Sequence, residues 1–532
     1  MSQHERSLAA DSIASKLFTT AQYLLVGVFG LLPIFFVPSV AAPFGYSKIL
    51  FVVVGILLAL VVCGFAFLRS GAIRVQFAWP SILLFVIAFI ALVSALLSGD
   101  FNDALVGDGF GVHTTLFIAL MALTASVWTL LGTNKMMIMQ LFILIAASTI
   151  LLAIFHVARL VLGADVLSLG FFGGNATLSP FGGWNDLAIF FGLAIILALV
   201  ALEQLPLTRG GQALFGVVTA VALVMLAVIN FTAVWAVLGL VSLAVLVYGL
   251  TKDRFALGHT EAGARVSIVS IIAAIVVFLC SVLFMLLGGV LGSSIGQAVN
   301  ISYTEVRPSF TATTDIIGSV YSDGALFGVG PNRFEDAWRL HKDPSINTSV
   351  FWNTDFTAGF GYIPTAFATM GLVGGVAWLA FFGVFIATGL RMLLKTASGD
   401  RTWYFIGTVS FTGGLFLWFM SILYVPGPTL LLMAALCTGL AGAASIVLLQ
   451  SSVPEIRGDK NRRMGFVFVA IFLLLVIASV GSLYYVGRHY SGVYSFNRSL
   501  QMIGEGSDID ALEQRTVQAY ALAENDAYVR RL

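Results

Sequence analysis

Apolar stretches of about twenty residues recur thirteen times along this 532-residue chain. A stretch of that length crosses the hydrocarbon core of a bilayer as a helix. Only helices and closed barrels satisfy their own backbone groups there. The candidate spans are 19–39, 48–68, 77–97, 111–132, 136–162, 184–203, 212–230, 232–251, 267–291, 360–390, 403–424, 427–449 and 464–486. The seventh and eighth are separated only by Asn230 to Thr232, so they read either as a tight hairpin or as one miscounted segment. The expected fold class is an all-α, polytopic integral membrane protein of about 12–13 transmembrane helices. Charged residues make up 10% of the chain and apolar ones 59%. Soluble domains carry about 25% charge, so a water-soluble enzyme is excluded.

Charge narrows the function classes further. A net charge of +1 excludes a nucleic-acid binder that works through bulk charge. Cys63, Cys280 and Cys437 all lie inside apolar runs, with no CxxC and no Cys/His cluster. A zinc site, an iron–sulfur site or a disulfide framework is therefore not expected, and the residues assign neither a metal nor a cofactor.

Lysine and arginine orient the spans. With the N-terminus in the cytoplasm, sixteen of the 27 basic residues fall in inner segments, among them Arg69, Arg74, Lys135, Arg209, Arg391, Arg401, Arg457 and Arg463. The short outer loops hold only Lys48 and Arg159, both at membrane edges. The expected organisation is a cytoplasmic leader (1–18), a helix bundle (19–291), an extracytoplasmic loop domain (292–359), a second bundle (360–487) and an extracytoplasmic helical tail (488–532). The leader has mixed charge and precedes a retained helix rather than a cleaved signal.

Ionisable groups within spans mark function by default. Here they are few: His156 and Arg159 near the outer end of the fifth span, and Asp186 opening the sixth. That scarcity weighs against an ion-coupled transporter. Chemistry is expected instead in the long outer loop. Arg307-Pro308 is read as starting one helix, with Phe310, Ile316, Ile317 and Val320 on its apolar side. Gly330-Pro331-Asn332 is read as starting a second, through Phe334, Ala337, Trp338 and Leu340. A helix start of that kind offers backbone amides to an anion, and Arg307 and Arg333 add donors suited to phosphate.

Each of these residues has a plainer reading. The glycines serve a turn, and Arg307 pairs with Glu305 or Asp315. Asn185 caps a helix beside Asp186, where polar groups at membrane depth must face protein or water. His113 is an interfacial residue. The aromatics Phe351, Trp352, Phe356, Phe360 and Tyr362 stack on sugar faces or form a membrane-interface belt. Asn353 and Asp355 lie just before the chain re-enters the membrane, where Asp355 reads plainly as a cap on the next helix.

The segment RPSF, then GALFGVGPNRFEDAW, then NTDFTAGFGYIPTAFATMGLVGG and a span, resembles the O-antigen ligase and polymerase family. That family shows an Arg-led outer helix, a PLxGxGxxxF turn and a re-entering segment ending in Gly-Leu-x-Gly. Here these fall at Arg307, Leu326 to Phe334, and Gly371 to Gly374. GGWNDLA at 182–188 is similar to the family's GxxNxNxLA element, and the outer Gly motif at 107–111 agrees. The resemblance covers roughly 20–490. It implies a GT-C type membrane glycosyltransferase that moves a glycan from an undecaprenyl-diphosphate carrier to a glycan, lipid or protein acceptor outside the bacterial cytoplasmic (inner) membrane. It implies no nucleotide sugar and no required metal.

In that setting Arg307 and Asp355 are the catalytic candidates, with Arg307, Arg333, Asn332, Asn185, Asp186, Trp352 and Asn353 as substrate contacts. Two family features are missing. No His lies near Phe360-Gly361, and Asn230 to Trp235 contains no Ser-Arg pair. Asp355 is therefore the carboxylate assigned to the vacant base role, with Glu335, Asp336 and His341 behind it. The tail resembles the start of tetratricopeptide helices (Phe496, Leu500, Ile503, Leu512, Val517, Tyr520), a surface for a protein partner. Competing readings are a polymerase with a lipid-linked acceptor, a non-catalytic scaffold and, third, a transporter.

Overall fold

A computed structural model describes residues 3–523, apart from 71, 75, 108, 256–267, 395–398, 452–454, 458–461 and 505–508. It is almost wholly helical, and twelve of its helices are long and apolar enough to cross a membrane. The protein is therefore a multi-pass membrane protein. The helices of the first half are α1 (Gln3–Leu31), α2 (Phe44–Ser70), α3 (Trp79–Leu97), the short α4 (Phe101–Leu105), α5 (Thr115–Leu131), α6 (Lys135–Leu162), α7 (Trp184–Gln204), α8 (Arg209–Ile229), α9 (Thr232–Phe255) and α10 (Ile268–Ala298). The second half adds α11 (Phe310–Gly324), α12 (Phe334–His341), α13 (Tyr362–Thr369), α14 (Gly371–Leu394), α15 (Arg401–Leu423), α16 (Pro428–Leu448), α17 (Arg462–Gly504) and α18 (Ile509–Leu522). The seventh and eighth apolar runs are two helices, α8 and α9, separated by Asn230 in the left-handed conformation (φ 53°).

The helices α7, α15 and α16 form the buried axis of the bundle. Small residues let neighbours close on α16. Gly439 lies against the Ala125 carbonyl and Trp128, and Gly442 against Ala78 and Thr129. Such close approach replaces the hydrophobic drive that lipid does not supply between helices. Some polar groups inside the bundle pair across helices: Thr129 Oγ1 lies 3.2 Å from Gly439 O, and the Trp418 indole donates to Thr438 Oγ1 at 2.9 Å.

The connecting loops sort onto two faces through their contacts. On one face Lys135 pairs with Asp400 at 2.6 Å, Arg401 donates to Gln204 O at 2.7 Å, and the strands β1 (Ala72–Arg74) and β2 (Glu455–Arg457) form an antiparallel ladder. On the other face the 98–114, 163–183, 299–361 and 424–427 loops and the C-terminal part of α17 meet.

Three expected boundaries shift. The helix α10 continues past 291 to Ala298 before the long loop begins. The expected 360–390 span is two helices, broken at Met370-Gly371, where Gly371 has φ 65°. The break is satisfied by the glycine turn at 325–330. Val329 N and Gly330 N donate to Ala368 O and Thr369 O, while Leu372 N and Val373 N donate back to Ala325 O and Leu326 O. Gly328 (φ 64°) and Gly371 sit where a Cβ would press on the facing backbone at 2.3 and 2.5 Å. Finally, α17 runs unbroken through the expected 487/488 boundary. Its C-terminal part packs on α2 through Tyr46–His489 and Ser47–Tyr490 hydrogen bonds, Asn497 donates to Ala41 O in the loop before α2, and α18 folds back on it around Phe496, Ala519 and Ala523.

Candidate functional site

Arg307 precedes α11, whose N-cap is Ser309. Pro308 thus lies before the helix rather than in its first turn. The extended chain directs the guanidinium back across the membrane face. Its Nη1 donates to Leu423 O at 2.7 Å and to Phe360 O at 3.1 Å. Leu423 ends α15, so its carbonyl lacks an intrahelical donor and lies at the negative pole of that helix. The Phe360 and Tyr424 rings flank the cation at 4.8 and 5.4 Å. Among the described residues, no carboxylate lies within ion-pair distance of Arg307, and its Nε and Nη2 make no hydrogen bond. The pairing with Glu305 or Asp315 does not form. One nitrogen anchors the group to the scaffold, and the Nε–Nη2 edge remains as a two-donor fork.

Two residues away, Glu305 Oε2 accepts from Asn185 Nδ2 at 2.6 Å, Tyr424 Oη at 3.0 Å and Tyr303 Oη at 3.3 Å. Burial, then the Glu305 charge, pushes the Tyr303 phenol up to about 12. Burial, then Asp186 and Glu305, pushes Tyr424 up as well. Both phenols are therefore neutral donors at neutral pH. Asn185 is not a cap, because α7 begins after Gly183, and its amide orients Glu305 instead.

The neighbouring Asp186 is buried, and its Oδ1 accepts Gly427 N at 3.0 Å. It lines a cavity of about 660 Å³ together with Lys48, Phe44, Phe181 and Asn497. Lys48 is fully buried and donates to Leu32 O and Pro33 O at 2.9 and 3.4 Å, at the end of α1. Sequence reasoning placed Lys48 only at a membrane edge. The one available signal was a lysine on the second turn of an apolar helix without another charge nearby. Arg159, equally buried, donates to the carbonyls of Ala164, Phe172, Gly173, Asn175 and Leu178 and so shapes the 163–183 loop rather than the cavity chemistry.

The remaining sequence candidates take other roles. Asn332 adopts φ 62°, and its amide donates to Asp103 Oδ1 at 3.0 Å, fastening the glycine turn to the 98–114 loop. Arg333 pairs with Asp336 at 2.7 Å and is itself the N-cap position of α12. With Glu335 and Asp336 in its first turn, that helix start is already complemented by acid. It begins at Phe334, so Gly330 to Asn332 form the turn before it. Asp355 accepts from Arg339 Nε at 2.8 Å, in a surface network with Glu335 and Asp336. It does not cap α13, whose N-cap is Gly361. Among the described residues no hydrogen bond or ion pair joins Asp355 to Arg307.

Trp352 is exposed, its carbonyl held by Lys342, and Asn353 is exposed beside it. His113 stacks on Tyr362 at 4.8 Å with Nε2 enclosed, and burial holds its imidazole down at about 4. Among the described residues no group of three or more His, Cys, Asp or Glu side chains is placed to hold a metal ion.

The arrangement offers a phosphate-shaped cation, a carboxylate oriented by three donors on one oxygen, and adjoining cavities on one membrane face. The chain matches no protein-family model, and no curated protein is significantly similar to it.

Proposed function

We propose that this protein is a GT-C type membrane glycosyltransferase, akin to O-antigen ligase, that transfers a glycan from a polyprenyl-diphosphate donor to an acceptor on the outer face of a bacterial inner membrane. The Nε–Nη2 fork of Arg307 is the observation that carries this reading. A cation clamped by carbonyls and aromatic faces, with no carboxylate partner among the described residues, is suited to a diphosphate. The uneven distribution of Lys and Arg supports an outward orientation for this face.

In the proposed reaction the acceptor hydroxyl oxygen attacks the anomeric carbon. The bond from that carbon to the phosphate oxygen breaks with its electron pair, and the lipid diphosphate leaves as an anion stabilised by Arg307. The hydroxyl proton passes to Glu305, whose Oε2 is held by Asn185, Tyr303 and Tyr424 and whose Oε1 takes the proton. Glu305 thus replaces Asp355 as the proposed base, because Asp355 is engaged by Arg339.

Reconstitution in proteoliposomes with a polyprenyl-diphosphate-linked oligosaccharide and a glycolipid acceptor tests the reading. The expected products are lengthened acceptor and free polyprenyl diphosphate. Failure to bind polyprenyl diphosphate in any form would overturn it.

A further inference from the structure

A second outward cavity, of about 560 Å³, opens beside Glu305 and has no part in the reaction just described. Three segments build its wall. The α8–α9 turn supplies Asn230, whose amide donates to Gly288 O at 2.8 Å. The end of α10 supplies Gln297 and, just beyond it, Asn300. The chain leading outward to Glu305 supplies Ser302 and Tyr303, and Trp184 of α7 closes the cavity. Among the described residues no charged side chain lines it. Asn230 Oδ1 is enclosed beside the cavity without a donor, an uncompensated acceptor.

Amides and hydroxyls both donate and accept, and an aromatic face offers a flat apolar surface. Together, with no charge to desolvate, they match a ring that carries several hydroxyls and apolar C–H faces. The volume lies within the range of small-molecule sites, about 300–1,000 Å³. We propose that this cavity is a subsite for a neutral sugar residue, bound through Asn230, Gln297, Asn300 and Tyr303. The subsite deepens the transferase reading, on which its place in a reaction depends. Tyr303 joins the cavity wall to Glu305, and Tyr424 joins Glu305 to Arg307. The order along the face is neutral cavity, carboxylate, cation, so a sugar and its diphosphate flank the carboxylate.

The test is saturation-transfer NMR on the full-length protein in nanodiscs, with free glucose, galactose, mannose, rhamnose and N-acetylglucosamine as probes. The companion variant is Gln297→Ala with Asn300→Gly, the glycine chosen because Asn300 has φ 56°. At least one sugar is expected to give a signal, and the double variant to weaken its binding at least about fivefold, the loss of one or two hydrogen bonds. A melting curve recorded on the same sample verifies that the variant is folded, and polyprenyl-diphosphate binding is measured beside it. Absence of a signal from every sugar, or a signal unchanged in the variant, overturns the subsite. If Arg307-dependent diphosphate binding persists without sugar binding, the subsite falls and the transferase reading stands. Sugar binding lost in the variant, without any diphosphate binding, supports the subsite and removes the transferase reading.

Discussion

Replacing Arg307 by lysine keeps the charge and removes the geometry. In the native protein Nη1 is fixed to two carbonyls, leaving the Nε–Nη2 edge for two parallel contacts to a phosphate. Lysine has one nitrogen at the end of a flexible stem. It either takes over the Leu423 and Phe360 carbonyls or meets the phosphate, and it cannot present a fork. A hydrogen bond to a charged group contributes about 1.5–3 kcal/mol, so losing one of two weakens diphosphate binding by about tenfold to a hundredfold or slightly more. Titration of polyprenyl diphosphate into wild-type and Arg307→Lys nanodiscs, read by native mass spectrometry, measures this directly. A melting curve in parallel separates lost binding from lost folding. Affinity unchanged in a folded Arg307→Lys protein would refute the fork argument, because a point charge would then suffice.

Three further expectations follow from the geometry. Glu305→Gln retains an acceptor for Tyr303 and Tyr424 but not a base, so turnover should fall about 10²–10⁴-fold with lipid binding intact; Asp355→Asn should leave turnover unchanged, and the reverse pattern in a transfer assay would return the base role to Asp355. Burial holds His113 at about 4 against about 6.5 in the unfolded chain, so the unfolded state takes up its proton first and stability is lost as pH falls from about 6.5 toward 4; His113→Phe keeps the stack on Tyr362 and should flatten that part of the melting-temperature profile, whereas equal slopes would sink the idea. Gly371→Ala forces a side chain into a left-handed backbone, at about 1–2 kcal/mol, and onto Leu326 O besides; an unchanged melting temperature would contradict the interlocked turn.

Hydropathy made the spans legible because each helix carries its own apolar length. The 111–132 run is the helix Thr115–Leu131, and the two helices of the long 299–361 loop lie close to their expected positions around Ile316 and Trp338. Arg307 was legible as a candidate from a local motif. Its neighbours were not, since Leu423 and Tyr424 lie more than a hundred residues away in sequence and meet it only through the fold. The same holds for Lys48 and Asp186, brought to one cavity from α2 and α7. Arg333, Asn332 and Asp355 look alike from sequence whether they meet a ligand or a protein neighbour; in the fold they meet Asp336, Asp103 and Arg339.

The 43-residue α17 is about 65 Å long at 1.5 Å per residue, twice the thickness of a hydrocarbon core, about 30 Å. Its first half presents Phe466, Val469, Leu473, Leu474 and Ile477 away from the bundle. It is clasped along α2 and the loop before it rather than at one point: Phe472 packs on Phe65 and closes on Gly64, while Tyr46, Ser47 and Ala41 hold His489, Tyr490 and Asn497. Asn497 also forms part of the wall of the cavity that holds Lys48 and Asp186. One continuous helix thus ties that wall to contacts on α2 about 37 Å further along the rod.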